Sequence, residues 1–342
     1  MSNLKLQENI KNIFEMDINL KNIIKTIVNL KKKVLLFSVL LFLSIFIITG
    51  LFIICFILFD NIWISSIIFT VVSIITMITL IIVIFKFLKK IKFSTEILNK
   101  NLYENNNIQK LYEDYFNANI STNELESFKF IYLNSKITIN EIEQDYHYFL
   151  KNKDEPILSN KINYFEFFYR GIKGFFQINE PIHFIHYETT TDSSGKTITE
   201  KKITKFSSDQ LFYNNEKYIT NYNGFKIQSK IKLKGDYKTE SVIFNKKYTT
   251  NLNSSDIKST KFLTPYAIDL LSNIEDKDFY KLGIEKQLYV EKYKIGKDIL
   301  PIGILDLTML FNENKLMALI ENKIISDFNL FTRSIAYISF LK

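Results

Sequence analysis

Two long apolar blocks dominate the pattern of hydrophobic and polar positions. Residues 34–59 are a run of 26 uncharged residues, and residues 62–85 are a second run of 24. At about 1.5 Å per residue in a helix, these runs reach roughly 39 and 36 Å, more than the roughly 30 Å hydrocarbon core of a bilayer. The pattern therefore predicts a two-helix transmembrane hairpin whose helices are joined by Asp60 and Asn61.

Lysines flank this predicted hairpin at one end only. Lys31, Lys32 and Lys33 precede the first span, four more lysines follow the second span between residues 86 and 92, and the turn at Asp60 has none. Basic flanks remain on the cytoplasmic side of a membrane. We therefore expect both termini in the cytoplasm. A hairpin that enters only one leaflet is the alternative, and it also leaves both termini on one side.

The two spans contain no charged residue. Ion and proton pathways need ionisable groups at that depth, so the hairpin is predicted to be an anchor. Ser66, Thr70 and Ser73 recur at helical spacing on one face of the second span. Such hydroxyl groups pack either against a partner helix or against the other helix of the hairpin.

The segments on either side of the hairpin are predicted to be helical. Proline is absent before Pro156, and Gly50 is the one glycine before Gly171. Both residue types disfavour helix interiors. Within residues 1–33, apolar residues recur at the three- and four-residue steps of an amphipathic helix: Leu6, Ile10, Ile13, Leu20, Ile24 and Ile27. This helix lies either on the membrane surface or against a juxtamembrane helix predicted over residues 86–118.

Beyond about residue 162 the pattern changes to short aromatic and β-branched runs. Residues 164–170 and 175–178 are two such runs. Residues 182–191 and 197–206 flank a turn at Asp192–Gly195, an arrangement typical of a β-hairpin. These runs predict strands.

Later signals complete the prediction of an α+β domain over residues 119–342. Asn223 and Gly224 mark a turn before an alternating strand pattern. Thr264 and Pro265 form an N-cap with proline at the first helical position. Three further segments fit the same scheme: strands over 288–295 and 299–304, and a helix over 314–341. Strands followed by helices favour a mostly antiparallel sheet with C-terminal helices.

The net charge of +8 does not indicate nucleic-acid binding. Residues 1–118 hold 13 lysines against 8 acidic residues, whereas residues 119–342 hold 31 basic and 28 acidic residues, so the excess lies beside the spans. Only Arg170 and Arg333 are arginine, the residue best suited to bidentate contacts with bases and phosphates. The single cysteine, Cys55, lies in the first span, which excludes a disulfide within this sequence and a cysteine-based zinc site in the α+β domain.

One motif resembles part of a nucleotide-binding signature. Ser194–Thr197 looks like the end of a phosphate-binding loop, which also needs a glycine five residues before Gly195. Thr190 occupies that position, and the surrounding alternation of threonines lacks the strand–loop–helix order of such a loop. The motif is therefore predicted to be a hairpin turn.

Histidines offer one conceivable metal site. His183 and His186 lie on opposite faces of a predicted strand, whereas His186 and Glu188 share a face and could join His147 around zinc. A strand histidine needs no ligand, and nothing else in the sequence supports the site. We therefore assign no catalytic, cofactor-binding or metal-ligating residues, and we expect no cofactor.

Four segments carry a family resemblance: His186–Thr189, Tyr222–Phe225, Val242–Tyr248 and Phe262–Pro265. In this order, behind two membrane spans, they resemble the bacterial family known as domain of unknown function 3137. The resemblance covers about residues 30–330. It implies a protein of the bacterial inner membrane, a strand at residues 242–248 and a helix after Thr264. It implies no catalytic residues, because none is assigned to the family.

Two functions from different classes are compatible with these features. The favoured one is a membrane-tethered cytoplasmic interaction or regulatory module, whose partners are the lipid bilayer and another protein but not nucleic acid. The alternative is a membrane-anchored, hydrolase-like enzyme that acts on a lipid or peptidic substrate. Polar groups that converge in a deep pocket would favour the enzyme, whereas an open sheet edge or a flat apolar patch would favour the interaction module.

Overall fold

The structure is a computed structural model that describes residues 3–58, 63–104, 107–120, 124–133, 155–157, 162–179, 182–191, 195, 197–229, 232–275, 277–296 and 313–341. The chain divides into two units. The helical unit comprises residues 7–108 and 306–320, and the sheet unit comprises residues 1–6, 109–305 and 321–342.

Three helices occupy the N-terminal third of the chain. They are α1 (Asn3–Met16), α2 (Ile18–Leu58) and α3 (Trp63–Glu104). The carboxylate of Asp17 accepts a hydrogen bond from the backbone N–H of Leu20 at 3.0 Å, and it thereby caps the N-terminus of α2. The predicted helix over residues 1–33 is therefore two helices, and the second continues directly into the first apolar block.

Helices α2 and α3 pack against each other within the helical unit. The rings of Phe37 and Phe87 lie 5.6 Å apart. Because Phe37 lies about as far before the end of α2 as Phe87 lies after the start of α3, this contact requires the two helices to run antiparallel. The least exposed residues of each helix recur at alternating three- and four-residue steps, the heptad spacing of paired helices. We call these positions the heptad seam: Leu20, Ile24, Ile27, Lys31 and Val34 in α2, and Ser73, Met77, Leu80, Ile84, Phe87, Ile91, Thr95, Leu98 and Leu102 in α3.

The sheet unit is built on one antiparallel sheet. Its strands are β1 (Leu125–Leu133), β2 (Glu155–Ile157), β3 (Ile162–Tyr169), β4 (Ile172–Asn179), β5 (Ile182–Thr191), β6 (Thr197–Tyr213), β7 (Lys226–Gln228), β8 (Thr249–Thr250), β9 (Phe279–Ile284) and β10 (Leu288–Gly296). The main order is β1-β3-β4-β6-β10-β9-β7-β8. Strand β5 pairs with the first half of β6, and β2 pairs with β5.

Six further helices follow α3 along the chain. They are α4 (Asn107–Asn119), α5 (Glu216–Tyr222), α6 (Val242–Lys247), α7 (Ile257–Phe262), α8 (Pro265–Asn273) and α9 (Glu313–Ala336). Helix α8 begins as predicted, because the hydroxyl of Thr264 accepts a hydrogen bond from the backbone N–H of Ala267 at 3.2 Å. The part of α9 from Glu321 onwards belongs to the sheet unit.

The core of the sheet unit is aromatic and covers one face of the sheet. Phe116 of α4 stacks on Phe128 of β1 at 4.1 Å, and Phe331 of α9 contacts Phe176 of β4 at 5.4 Å. In β3 and β4, alternate residues point to this face and are buried, whereas most of their neighbours are half-buried. Burial of one such ring stabilises the fold by about 1.5–3 kcal/mol.

The structure confirms the α+β class, the antiparallel sheet and the C-terminal helix. Gly224 has φ +87° and lies between helix α5 and the three-residue strand β7, so the predicted turn is confirmed. One expectation, the strand that the family resemblance implies at residues 242–248, is corrected. Residues 242–247 form helix α6 and not a strand, because the side chain of Ser241 accepts a hydrogen bond from the N–H of Phe244 and begins a helix there.

Two further predictions concern strand partners and element boundaries. Strand β10 pairs with β9 and β6, and the strand predicted at residues 299–304 lies outside the described residues. Helix α3 ends at Glu104 and α4 begins at Asn107, and the juxtamembrane helix predicted over residues 86–118 coincides with parts of both. Helix α4 contributes Phe116 to the core, so the sheet unit begins before residue 119.

Candidate functional site

The most unusual surface of the protein is an apolar belt on the helical unit. Large apolar side chains of α2 between Leu35 and Ile47 and of α3 between Val71 and Phe85 are exposed, among them Phe42 at 61% and Phe85 at 65%. Soluble proteins rarely expose contiguous apolar patches larger than a few hundred Å². Among the described residues one helix, Ile18–Gly50, is long and apolar enough to cross a membrane, with a mean hydropathy of 2.4.

Seven lysines of α2 and α3 lie next to one end of the belt. Because α2 and α3 are antiparallel and Phe37 contacts Phe87, residues 31–33 lie at the level of residues 86–92. The ammonium group of Lys33 lies 5.9 Å from the ring centroid of Phe87, which confirms this alignment. We call the group the lysine collar: Lys31, Lys32, Lys33, Lys86, Lys89, Lys90 and Lys92. Six of these side chains are exposed, and Lys31 is buried in the heptad seam.

Both long helices extend well beyond the belt. With 41 and 42 residues, α2 and α3 are roughly 62 and 63 Å long, about twice the hydrocarbon core of a bilayer. Past the collar the seam is closely packed, with Ile24, Ile27 and Leu98 buried. Ile10 and Phe14 of α1 are also buried. The apolar face of α1 is thus closed to solvent at these two positions.

One residue of the predicted hydroxyl face of the second span is described. Ser73 is buried at a seam position of α3. The side chains of Ser66 and Thr70, like that of Cys55 in α2, lie outside the described residues.

Two buried ion pairs in the sheet unit involve helix α9. In the first, Lys323 forms an ion pair with Asp327 one helical turn away, and the hydroxyl of Tyr112 donates to the same carboxylate oxygen at 2.6 Å. Burial lowers the pKa of Lys323, and the charge of Asp327 offsets part of that effect. The i, i+4 spacing signals this pair in the sequence, but its burial and its contact with Tyr112 do not appear there.

The second pair joins the sheet to the same helix. The ammonium group of Lys292 on β10 lies 3.0 Å from Asp209 on β6, and it also donates to the backbone carbonyl of Leu330 at 3.0 Å. The hydroxyl of Ser334 donates to Asp209 at 3.3 Å. Lys292 is only 1% exposed. Both pairs are closed to solvent: the first holds α9 against α4 through Tyr112, and the second holds α9 on the sheet.

The opposite face of the sheet carries a row of polar side chains. Gln177 donates to Gln210 on the neighbouring strand, Gln210 donates to Glu291 at 3.0 Å, and Lys281 lies 3.2 Å from Glu291. The row crosses β4, β6, β10 and β9 in register. Next to it, the ring of Tyr289 covers Gly283, where a Cβ atom would collide with the phenol. The polar side chains of this half-buried face thus contact one another.

Arg170 ties the C-terminal end of the chain to a strand turn. It has φ 49°, donates to the backbone carbonyl of Leu341, and lies 2.8 Å from a carboxylate oxygen of Glu124. The hydroxyl of Tyr169 donates to the other oxygen of Glu124 at 2.9 Å. The hydrogen bond from Arg170 lowers the pKa of Glu124, whereas burial raises the pKa of Tyr169. This cluster closes the turn between β3 and β4.

The motif residues singled out in the sequence lie on the β5–β6 hairpin. Thr191 pairs with Thr197 across the turn, and Gly195 has φ +80°, so the predicted hairpin turn is confirmed. His183 and His186 face Lys205 and Lys202 in the strand register, and their side chains, like all of His147, lie outside the described residues. Among the residues that the structure describes, no three His, Cys, Asp or Glu side chains are grouped to hold a metal ion.

The tip of this hairpin extends past the rest of the sheet. Strand β6 pairs with β10 only from Lys205 onwards, and β2 pairs with β5 only up to Ile185. Within the described residues, Thr197–Thr204 therefore pair with β5 alone. We call the exposed segments Thr189–Thr191 and Thr197–Glu200 the β-arm. It presents unpaired backbone groups on both of its edges within that part of the chain.

Comparison of the chain with models of known families, with curated proteins and with solved structures gave no match. The resemblance to domain of unknown function 3137 therefore stays a prediction, and the geometry of the belt, the collar and the β-arm is the basis for a functional proposal.

Proposed function

We propose that this protein is anchored in a membrane by α2 and α3 and that it presents its sheet unit in the cytoplasm as an interaction or regulatory module. The exposed apolar belt carries the proposal. Both α2 and α3 expose large apolar side chains over the same stretch, and the two helices pack against each other. Lipid satisfies such a surface, whereas water does not.

The lysine collar supports the orientation. All seven lysines lie at one end of the belt, and the four residues of the connection at the other end, 59–62, include no lysine or arginine. Under the positive-inside rule the collar remains in the cytoplasm, and so do both termini. The membrane is the bacterial inner membrane if the family resemblance holds.

The pairing of the buried ionisable groups and the exposure of the β-arm favour an interaction role over catalysis. The buried ionisable groups that the fold brings together are Lys323 with Asp327 and Lys292 with Asp209, and each is paired inside the core. The β-arm is instead exposed and has free backbone donors and acceptors on its edges within the described residues. An extended segment of another protein could add to it as a further strand.

Anchoring is tested by extracting membranes from cells that produce the full chain with alkaline carbonate. The chain is expected to stay in the membrane pellet, and a variant that lacks residues 34–85 is expected in the supernatant. Orientation is tested with reporters fused after Lys342. A fluorescent protein should be bright there, while alkaline phosphatase should be inactive there but active when fused after Asn61. Active phosphatase after Lys342 would overturn the orientation.

The role of the β-arm is tested by photocrosslinking in cells. A photoreactive amino acid at Thr190 should give a discrete adduct with one protein, and the same amino acid at the exposed Lys258 should give none. Adducts at both positions, or at neither, would contradict a partner that docks on the β-arm.

A further inference from the structure

The lysine collar is part of a stretch of the hairpin from which acidic residues are absent. Residues 18–33 and 86–95 together contain nine lysines and no Asp or Glu, and the first acidic residues on either side are Asp17 and Glu96. The charge of this stretch is therefore not neutralised by acidic residues within it. Elsewhere basic and acidic residues nearly balance, since residues 119–342 hold 31 of the former and 28 of the latter.

The geometry gathers this charge at a single level. Residues 31–33 and 86–92 come from antiparallel helices and lie side by side, as the 5.9 Å distance between Lys33 and the Phe87 ring shows. Lys86, Lys89 and Lys90 share one face of α3 because residues three and four apart are neighbours on a helix, and Lys92 lies at the edge of that face. All four are exposed. Leu35 and Phe85 of the belt lie directly beside the collar, and the exposed side chains of Leu88 and Phe93 lie next to its lysines on α3.

We infer that the lysine collar binds the phosphate groups of anionic phospholipids. This inference rests on the proposed membrane anchor, which places the end of the belt at the boundary between hydrocarbon and headgroups. Ammonium groups next to a transmembrane segment attract anionic headgroups at that depth. Lysine suits this ligand because it acts as a point charge on a flexible stem and needs no fixed bidentate geometry. The collar thereby sets the depth of the hairpin and collects anionic lipid around it.

The test measures lipid selectivity of the full chain in vesicles of zwitterionic phosphatidylcholine and anionic phosphatidylglycerol. Spin-labelled versions of each lipid report the fraction that is immobilised at the protein surface. The wild-type chain is expected to prefer phosphatidylglycerol by at least about fivefold, and raising the ionic strength should reduce that preference. A variant with Lys86, Lys89, Lys90 and Lys92 changed to Gln should lose most of it.

A matched control carries the same number of Lys→Gln changes at exposed sites of the sheet unit: Lys246, Lys258, Lys261 and Lys277. It should keep the wild-type preference. An unchanged preference in the collar variant would overturn the inference, and so would an equal loss in the control. Soluble inorganic phosphate should not displace the labelled lipid, and displacement would show a general anion site instead.

Failure of the anchor and failure of the collar give different results. If α2 and α3 do not enter the bilayer, neither labelled lipid is immobilised and alkaline carbonate removes the chain from the vesicles. If the chain resists extraction and immobilises both lipids equally, the anchor stands and the inference about the collar is wrong.

Discussion

Phenylalanine is buried in the sheet unit and exposed on the hairpin. Phe116, Phe165 and Phe331 are fully buried in the aromatic core, whereas Phe46 of α2 is 60% exposed. The residue type is the same, so the difference lies in what surrounds each ring. The sheet unit packs its rings against each other away from water, whereas α2 leaves its rings exposed, and under the proposed membrane anchor lipid covers them.

Lysine shows the reverse contrast. Lys292 and Lys323 are buried in the sheet unit, and each is paired with an aspartate. The lysines of the collar are mostly exposed, and no acidic residue lies in their stretch of the chain. In the sheet unit the charges hold a helix in place, whereas under the proposed function the exposed lysines of the collar bind anionic lipid. Variants can separate these two uses of the same side chains.

The largest effect is expected from charges placed in the belt. Phe46 and Ile78 lie at matching levels of the hairpin, and changing both to Lys puts two charges where lipid is expected. At about 2.5–3.5 kcal/mol each, the pair should cost roughly 5–7 kcal/mol of insertion free energy. The variant should disappear from carbonate-washed membranes. Ile198→Lys on the exposed β-arm should remain there, and retention of the double variant would contradict a lipid-facing belt.

Truncation of one ring in each unit sharpens the comparison. Phe331→Ala removes a ring at the centre of the aromatic core and should lower the free energy of unfolding of the sheet unit by about 3–5 kcal/mol. Phe46→Ala removes an exposed ring of the belt and should leave that free energy unchanged. Near-ultraviolet circular dichroism of the tyrosines, followed during denaturant unfolding in detergent, measures both. Equal losses would show that the two units do not unfold separately.

Removal of a buried carboxylate should cost about 3 kcal/mol. Asp327→Ala leaves Lys323 buried without its counter-ion and Tyr112 without its acceptor. The loss is expected at the low end of the range for such changes because the lowered pKa lets Lys323 release its proton. Adding Lys323→Met should restore most of the stability. Glu15→Ala in the exposed pair with Lys11 is the control and should change it by less than about 0.5 kcal/mol.

The smallest effect is a loss of stability at alkaline pH. Burial raises the pKa of Tyr213 from 10.0 to about 12, so the unfolded chain releases this proton first. The stability due to Tyr213 is complete below pH 10 and is lost as the pH rises towards 12, by about 1 kcal/mol per pH unit. Tyr213→Phe should reduce the fall between pH 10 and 11 by that amount. An identical pH dependence in both chains would contradict the prediction.

The sequence predicts the features that depend on neighbouring residues. The spans follow from run length, the start of α8 from Thr264 and Pro265, and the β5–β6 hairpin from its turn residues. It does not predict features that depend on distant contacts. The pairing of Lys292 with Asp209 joins positions far apart in the chain, and residues 242–247 became a helix through one cap at Ser241. The collar was visible as two clusters, but only the register of α2 and α3 places them at one level.

The contact of the belt with lipid is tested most directly by spin labels at Phe46, Ile78, Asn22 and Glu96 in a chain whose Cys55 is changed to Ser. The four sites are exposed, two in the belt and two beyond the collar. In vesicles, labels at Phe46 and Ile78 should collide more often with oxygen than with a water-soluble nickel complex, and labels at Asn22 and Glu96 should show the reverse. If the nickel complex reaches Phe46 and Ile78 as readily as Asn22 and Glu96, the hairpin does not lie in the bilayer.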